Sequence, residues 1–444
     1  MRADDGLAEA AAMAASAPAA GGPVRPLASA FVTLFESPDP DRVFCYTPGL
    51  ARLGSGRLVA TLDLGGPGVA DLPGIRLQRG DGGNPSQGKV LTSDDGGLHW
   101  THRADFPFYH ARPFAAGRSL YVLGHAGDLR IMRSDDEGVT WSASAALTRG
   151  QEWHQSACNV HYAGGCVYLV MERRVSHQIR AWAVGELAPV LMRARVDDDL
   201  TRRESWTFAS ELSFGQALAG AAEGPEVDYF GVPFHRAPYP AGAEAAPGRR
   251  CAPMGWLETN VVQIVDRDHA WFAPGTFHLW MRAHTGGTGY AAVAKVLESA
   301  DGSMATMLET VPSGKRILYA PCPGGQMRFH VLYDAESRLY WLLSSQATDS
   351  MTRADRLPPE RFNLPNNERH RLQLHFSRNM VDWCFAGIVA VGGGPRESRH
   401  YASMVVDGED LVVLSRSGDA RARSAHDGNL ITFHRIPRFR DLVY

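Results

Sequence analysis

The 444-residue sequence predicts an all-β fold built from repeated small sheets. Two eight-residue stretches with one pattern, Ser93–Trp100 and Ser134–Trp141, start forty-one positions apart. Short strand-like runs recur along the rest of the chain, and 46 glycines and 27 prolines supply turns between them. Regularly repeated short strands without a long helical segment are typical of a β-propeller, in which four-stranded blades surround a central channel.

The repeated stretch is a turn with a mechanical role. Both copies fit Ser-x-Asp-x-Gly-x-(Thr/His)-Trp, the pattern of an Asp-box or BNR repeat. We expect Asp95 and Asp136 to accept backbone N–H hydrogen bonds, the glycine to adopt a positive φ and the tryptophan to pack the turn onto its neighbours. Such turns join the two outer strands of a blade, so we interpret both aspartates, and His99 beside the first, as structural.

Six runs with β-branched, aromatic or alternating residues predict one strand each: 56–63, 118–124, 165–173, 277–283, 338–345 and 410–416. The spacing between them is about 50 to 70 residues, except for one interval of roughly 110 residues. That interval includes 206–212, an insertion and 260–266, and we expect it to contain one further blade. Seven blades are therefore favoured, with six as the alternative, and 429–444 is expected to close the ring against the first blade.

Composition limits the classes of function. The net charge of −3 argues against a nucleic-acid or anionic-membrane partner. The sequence also contains no run of about 18 apolar residues, the length that a membrane-spanning helix needs. Residues 1–26 are predicted to be a flexible leader without the apolar region of a secretion signal, and residues 27–444 to be a single propeller domain. Six cysteines without a Cys-x-x-Cys pair predict free thiols, and a cytoplasmic location is favoured.

Histidines and arginines gather where predicted strands meet loops, about once per unit. His110 and His125 lie on either side of one short turn, so they could approach each other across neighbouring strands. Other units contribute His154, Arg249, Arg250, Arg282, His284, Arg399 and His400. A channel lined by such residues suits an acidic oligosaccharide or polysaccharide, because guanidinium groups bind carboxylates and aromatic rings stack on sugars. No organic cofactor is expected, and the oligomeric state is not predicted.

Asp-box turns on a propeller resemble those of sialidases. Sialidases need an arginine triad, a tyrosine with a glutamate partner, and an Arg-Ile-Pro motif ahead of the first box. Here the only such motif, Arg435–Pro437, lies at the other end of the chain. A sialidase-like hydrolase is therefore an alternative and not the favoured interpretation.

The stretches 255–264 (GWLETNVVQI), 277–290 (FHLWMRAHTGGTGY) and 425–443 (AHDGNLITFHRIPRFRDLV) resemble another group. Together with the first Asp-box they resemble the seven-bladed L-rhamnose-α-1,4-D-glucuronate lyases active on gum arabic and, more distantly, the ulvan lyases. The resemblance covers most of the chain from about Phe44 onward. It implies a lyase that cleaves a rhamnose–glucuronate or related uronate linkage by β-elimination. A sister group of propeller rhamnosidases uses a histidine near the N-terminus, and the absence of any histidine before His99 argues against that mechanism here.

The lyase resemblance also implies roles for residues. β-Elimination requires a neutralised uronate carboxylate, a base for the C5 proton and an acid for the leaving oxygen. By position, His110 and His125 would transfer protons together with Tyr229, for which Tyr239 is a competitor. Arg250 or Arg249 would hold the carboxylate.

Substrate binding and a metal complete the predicted site. The residues expected to contact substrate are Arg249, Arg282, His284, Arg399 and His400. Because some ulvan lyases hold a structural metal, His154 and Cys251 are possible Zn or Ca ligands by residue type. An alternative of a different class is a non-catalytic carbohydrate-binding propeller, which would have the basic and aromatic channel without paired proton donors and acceptors.

Overall fold

A computed structural model describes residues 25–78, 83–180, 182–219, 244–250, 253–349, 352–357 and 368–444. Its regular elements are almost all β-strands, and most of them belong to six sheets of four or five strands. The all-β propeller is thus confirmed, and it has six blades, the stated alternative, instead of the favoured seven.

The strands are numbered in chain order and grouped by blade. The first strand, β1, is Val32–Glu36. Blade 1 holds β2 (Phe44–Arg52), β3 (Leu58–Gly65), β4 (Gln87–Ser93) and β5 (Thr101–Phe106). Blade 2 holds β6 (Tyr109–Ala116), β7 (Ser119–Ala126), β8 (Asp128–Ser134) and β9 (Ala145–Ala146). Blade 3 holds β10 (Trp153–His154), β11 (His161–Ala163), β12 (Cys166–Arg174), β13 (Leu187–Arg195) and β14 (Trp206–Phe208).

Between blades 3 and 4 lie the short helix α1 (Phe214–Leu218) and the hairpin strands β15 (Glu244–Ala246) and β16 (Arg249–Arg250). Blade 4 holds β17 (Gly255–Val262), β18 (Thr276–His284), β19 (Tyr290–Glu298) and β20 (Met304–Met307), followed by the hairpin strands β21 (Glu309–Thr310) and β22 (Arg316–Ile317), and by β23 (Tyr319–Pro321), which pairs with β19. Blade 5 holds β24 (His330–Asp334), β25 (Leu339–Ser345), β26 (Arg371–Ser377) and β27 (Cys384–Val391). Blade 6 holds β28 (Arg399–Asp407), β29 (Asp410–Ser417) and β30 (Leu430–Ile436). Single turns of 3-10 helix occur at Pro67–Asp71, Val184–Glu186, Arg203–Ser205, Ala354–Arg356 and Phe439–Leu442.

In the described residues, one large hydrophobic cluster lies between each pair of neighbouring blades, six in all, and a small seventh cluster joins Val184 and Leu187 to Leu257. Each sheet therefore buries both faces against its neighbours, which explains why its second strand is apolar along most of its length. In β3, for example, all eight residues are buried. The cluster between blades 6 and 1 closes the ring, and it joins Leu34 and Leu50 to Leu414 and Ile431.

The long interval that was expected to hide a seventh blade contains none among its described residues. Its first part, Trp206–Phe208, is the outer strand of blade 3, and its last part is the inner strand β17 of blade 4. The described residues between them form α1 and the β15–β16 hairpin, and 220–243 lie outside the described residues. The described residues between β14 and β17 thus form an insertion between blades 3 and 4.

Ring closure takes the expected place, because Ile431 and Phe433 of the C-terminal strand β30 pack against Leu50 and Leu58 of the first blade. Within its own sheet β30 pairs antiparallel with β1, for example Val32 with Phe433. The strand β1 thereby becomes the outer strand of blade 6, so the last blade is built from both ends of the chain.

The two repeated turns lie between the third and fourth strands of blades 1 and 2. In the first turn the backbone N–H groups of Leu98 and His99 donate to Asp95 at 3.1 and 2.9 Å, and Trp100 Nε1 donates to the Gly97 carbonyl at 3.0 Å. Five cysteines, Cys45, Cys158, Cys166, Cys322 and Cys384, are free thiols. No helix in the described part of the chain is long and apolar enough to cross a membrane.

Candidate functional site

The inner strands of four blades carry a β-bulge at the same level of the channel. In β2, β6, β17 and β28, two residues lie opposite one residue of the second strand. The first residue of each pair has a left-handed φ of 31°, 57°, 59° and 49°, respectively: Thr47, His110, Glu258 and Tyr401. A positive φ in a non-glycine residue costs of order 1–3 kcal/mol and persists where surrounding contacts hold it, often at functional sites. The bulges place chemically active side chains at one level.

The second strands contribute a polar residue beside each bulge. Asp63, His125, Arg282 and Arg416 each pair with the residue immediately before a bulge, and all four are buried. A charged or titratable side chain at the end of an otherwise apolar strand is expensive to bury unless other groups contact it. Together with the four bulge residues, these four side chains form a layer of eight side chains within the ring, called the polar layer below.

Buried arginines satisfy the carbonyl groups that the irregular inner strands expose. Arg112 donates to three of them at 3.0, 3.3 and 3.0 Å, those of Asn159, Ser156 and Val170. Arg328 donates to the Ala402 carbonyl at 2.9 Å and also to the Ala157 carbonyl. Because unpaired buried carbonyls are costly, Arg328 stabilises the bulge of β28 through Ala402, and Arg112 of β6 stabilises the segment 156–159 of blade 3.

The phenol of Tyr401 lies against a carboxylate and a guanidinium group. Its hydroxyl accepts a hydrogen bond from Arg282 Nη1 at 2.7 Å and is also hydrogen-bonded to the Glu258 carboxylate. Burial by itself would raise the pKa of Glu258, but Arg282 and the Tyr401 hydroxyl bring it below its ordinary value. Burial raises the pKa of Tyr401. At neutral pH the pair is thus a neutral phenol beside an ionised carboxylate that can accept its proton.

Two more guanidinium groups surround the same ring. Arg369 and Arg416 each lie 5.4 Å from the centroid of Tyr401. Arg369 is hydrogen-bonded to His400 Nδ1 at 3.0 Å, Arg416 donates to the His426 carbonyl, and within the described residues neither forms an ion pair. Burial lowers the pKa of Arg369 to about 10, which still leaves it protonated at pH 7. Buried cations without a counter-ion make the region attractive to an anion.

Asp63 adds a carboxyl group with an unusual proton affinity. It accepts a hydrogen bond from the backbone N–H of His110 at 2.9 Å. Burial raises its pKa to about 7, although the His110 hydrogen bond and the charge of Arg416 act in the opposite direction. A carboxyl group of this kind is near half protonation at neutral pH, where it can act as an acid or a base.

Three imidazole rings from blades 2 and 3 form a compact group. His110 Nδ1 lies 3.1 Å from His125 Nε2, and the ring centroid of His154 lies 5.2 and 5.8 Å from those of His110 and His125. Burial lowers the pKa of His154 to about 4 and those of His110 and His125 well below the ordinary value, so all three are neutral at pH 7. Trp182, 48% exposed, packs edge-on against His154 at 5.1 Å.

The structure brings several of the predicted site residues together. His110, His125, His154, Arg282 and His400 all belong to the polar layer or contact it. His284 is buried and near Arg282, with its Nδ1 2.7 Å from the Pro253 carbonyl.

Other predicted residues lie elsewhere or are not described. Arg399 donates to the carbonyls of Ser398 and Gly418 at 2.6 and 2.8 Å and lies over the ring of Phe31, and its contact with substrate stays a prediction. Tyr229, its competitor Tyr239 and Cys251 fall outside the described residues. Arg249 and Arg250 form β16, and their side chains are also outside the described part.

The residues that sequence reasoning missed are Asp63, Glu258, Arg369, Tyr401 and Arg416. A signal for the two missed second-strand positions, Asp63 and Arg416, was present. Counted from the first aliphatic or aromatic residue of each of the six strand-like runs, the sixth residue is polar: Asp63, His125, Glu172, Arg282, Ser344 and Arg416. The first-strand residues Glu258 and Tyr401 have no comparable signal, because a bulge is not visible in the residue pattern.

A cavity of about 530 Å³ occupies the opposite end of the channel. It is lined by the parts of the inner strands that follow the bulges, including Arg52, His161, Gln263 and Tyr333. Neither Tyr401 nor the acidic groups around it line this cavity. The polar layer and this cavity are therefore two separate regions of the channel.

The sequence matches no protein-family model and no curated protein. Among solved structures, the chain is similar to the Hadza microbial sialidase Hz136, with 13% identity, a TM-score of 0.52, and coverage of 92% of this chain and 68% of that one. It is also similar to Trypanosoma rangeli sialidase in complex with sialic acid, with 12% identity, a TM-score of 0.50, and coverage of 94% and 60%. Penicillium chrysogenum α-L-arabinanase complexed with arabinobiose has 13% identity and a TM-score of 0.49, over 94% of this chain and 99% of that one. At such identities the first two similarities establish the propeller fold.

Proposed function

We propose that this protein is a glycoside hydrolase acting on a sugar that carries a carboxylate, with Tyr401 as the nucleophile. The observation that carries the proposal is the position of the Tyr401 phenol, which is hydrogen-bonded to Arg282 and to the ionised Glu258. A phenol is a weak nucleophile until a neighbouring base takes its proton. Glu258 supplies that base in a site from which water is largely excluded.

The proposed reaction has two steps. Tyr401 attacks the anomeric carbon while Glu258 accepts the phenolic proton, and Asp63 donates a proton to the departing oxygen. The Arg282 guanidinium stabilises the charge that develops on the phenolic oxygen. A water molecule, deprotonated by Asp63, then attacks the anomeric carbon, the bond to the Tyr401 oxygen breaks, and Glu258 returns the proton to that oxygen. A pKa of about 7 suits Asp63 for both roles.

The substrate's carboxylate is inferred from the unpaired charge. Arg369 and Arg416 face the Tyr401 ring from positions where, among the described residues, neither has an ion-pair partner. Arginine binds carboxylates through parallel hydrogen bonds. Together with Arg282 and the Tyr401–Glu258 pair, these groups fit the arginine triad and the tyrosine with a glutamate partner that sialidases need, although the Arg-Ile-Pro motif is absent from the expected place.

A second candidate is the β-eliminating lyase implied by the sequence resemblance. The observation that favours it is the 3.1 Å separation of His110 and His125. Both imidazoles are neutral at pH 7, so one could accept the C5 proton of a uronate whose carboxylate is held by arginine. The lyase differs from the hydrolase in using a histidine in place of Tyr401 at the reacting carbon.

The test uses fluorogenic glycosides of sialic and uronic acids together with uronate-containing oligosaccharides. The hydrolase is expected to release reducing sugar without the ultraviolet absorbance of a conjugated enoate. A fluorinated donor sugar that slows the second step should leave a covalent label, and peptide mapping should place it on Tyr401. Release of enoate would overturn the hydrolase in favour of the lyase. Binding of these sugars without turnover would overturn both in favour of a binding propeller.

A further inference from the structure

We infer that His110, His125 and His154 form a binding site for one Zn²⁺-like transition-metal ion, held by three imidazole nitrogens. One ring nitrogen from each histidine lies within 4.8 Å of the other two. The proposed hydrolysis uses none of these rings, so the inference does not depend on the proposed function.

The spacing of two of the nitrogens already fits a metal. Tetrahedral zinc with Zn–N bonds of about 2.0–2.1 Å keeps its ligand nitrogens roughly 3.3 Å apart. His110 Nδ1 and His125 Nε2 are separated by 3.1 Å. A metal would replace the single hydrogen bond that these two neutral rings can share with a bond to each of them.

His154 supplies the independent observation. Both of its ring nitrogens are buried, and neither has a hydrogen-bond partner among the described residues. A buried polar group without a partner carries a desolvation cost that a metal bond would remove. One of its nitrogens lies within 4.8 Å of a ring nitrogen of His110 and of His125, so binding of a shared ion would draw the His154 ring closer to the other two.

The surrounding charges and the type of ligand indicate which ion the site would hold. The charges of Glu152 and Glu258 act on His154 in the direction that favours a cation, whereas the charges of Arg328 and Arg416 act on His110 in the opposite direction. Three neutral imidazoles match the preferences of Zn²⁺, Ni²⁺ and Cu²⁺ and not those of Ca²⁺. Three protein ligands leave the fourth position of a tetrahedral ion for water or a ligand.

The experiment is metal binding by the full chain without any sugar. Protein freed of metal by a chelator is titrated with ZnCl₂, and with CoCl₂ to record the visible absorption of tetrahedral Co²⁺. We expect one ion per chain, a rise in Tm with Zn²⁺, and about three imidazole ligands by X-ray absorption spectroscopy. His154→Ala and His154→Asn should each bind Zn²⁺ at least about 100-fold more weakly, because they remove a direct ligand.

The matched control is His161→Ala. His161 is a half-buried histidine of the same blade, 3.3 Å from Gln263 and outside the group, so this variant should bind Zn²⁺ like the wild type. If the wild type binds no stoichiometric ion, or if absorption spectroscopy finds fewer than three imidazoles, the inference is overturned even when a His154 variant fails to fold. Unchanged binding by folded His154→Ala would overturn it as well. None of these measurements records the hydrolytic activity assigned to Tyr401, so a failure of the metal-site proposal can be distinguished from a failure of the proposed function.

Discussion

The hydroxyl of Tyr401 is the single atom on which the proposed chemistry depends. Tyr401→Phe retains the ring and its packing but removes the oxygen that contacts Arg282 and Glu258. We expect kcat to fall about 10³-fold or more with little change in Tm, as measured with the best glycoside from the substrate screen. Tyr340→Phe is the matched control, since it removes another buried hydroxyl, one that donates to the Gln263 carbonyl at 2.9 Å. Equal activity of the two variants would exclude Tyr401 as the nucleophile.

The raised pKa of Asp63 predicts a pH-dependent cost of folding. Its pKa is about 7 in the folded chain, against 3.8 as the ordinary value, so between these values the native state binds more protons than the unfolded state. Stability from this group is complete at low pH and is lost as the pH rises towards 7. The asparagine side chain of Asp63→Asn cannot ionise. The Tm of this variant minus that of the wild type should therefore be more positive at pH 8 than at pH 5.

The exposed Asp198→Asn serves as the control for that comparison, and its Tm difference from wild type should not vary with pH in the same way. Parallel pH profiles for Asp63→Asn and wild type would contradict the buried, raised-pKa carboxyl. In the proposed reaction the protonated form of Asp63 is the acid, so wild-type activity should also decline above about pH 7.

At the scale of the strands, the contact between β6 of blade 2 and the segment 156–159 of blade 3 depends on Arg112. Replacing it with methionine keeps an unbranched apolar stem but removes the donor that Arg112 Nη1 supplies to the Asn159 carbonyl. The carbonyls of Ser156 and Val170 keep other donors, the backbone N–H of Cys158 at 2.8 Å and Gln155 Nε2 at 3.1 Å. One unsatisfied buried carbonyl costs about 1–3 kcal/mol, so the free energy of unfolding should fall by about that amount. Arg118→Met, in an exposed turn, should change it by less than about 0.5 kcal/mol. Chemical denaturation measures both.

Blade 5 carries a turn that resembles the two repeated ones and that the pattern search missed. Asn379 accepts hydrogen bonds from the backbone N–H groups of Val381 and Asp382 at 3.0 and 2.9 Å, as Asp95 does in blade 1. Here Met380 takes a positive φ of 65°, where a glycine would be expected. The sequence pattern fails because asparagine and a strained non-glycine residue replace the two most diagnostic positions.

At the scale of the whole molecule, closure of the ring depends on β1. Leu34 packs into the cluster between blades 6 and 1, so Leu34→Asp places a charge between the two ends of the chain. We expect the free energy of unfolding to fall by about 3 kcal/mol or more, in a single transition seen by both circular dichroism and tryptophan fluorescence. The exposed neighbour substitution Thr33→Asp should have a small effect, and equal losses would argue that β1 does not close the ring.

The sequence alone determined the all-β class, the repeated turns and the positions of one strand per blade, because these depend on local patterns of apolar residues and glycine. The six predicted runs are in fact the second strands of the six blades. The seventh blade was inferred from spacing, and spacing cannot separate a blade from an insertion. His110 and His125 were placed together correctly because one short turn connects their strands.

Only the tertiary structure decided the rest of the site. Tyr401, Glu258 and Asp63 belong to blades 6, 4 and 1, and no local pattern records that ring closure brings them to one level. Their orientation depends on bulges whose strained backbone is held by arginines from other blades, such as Arg328 bonding to Ala402. A residue's local preference would oppose such a conformation, so the site exists because contacts between blades outweigh that preference.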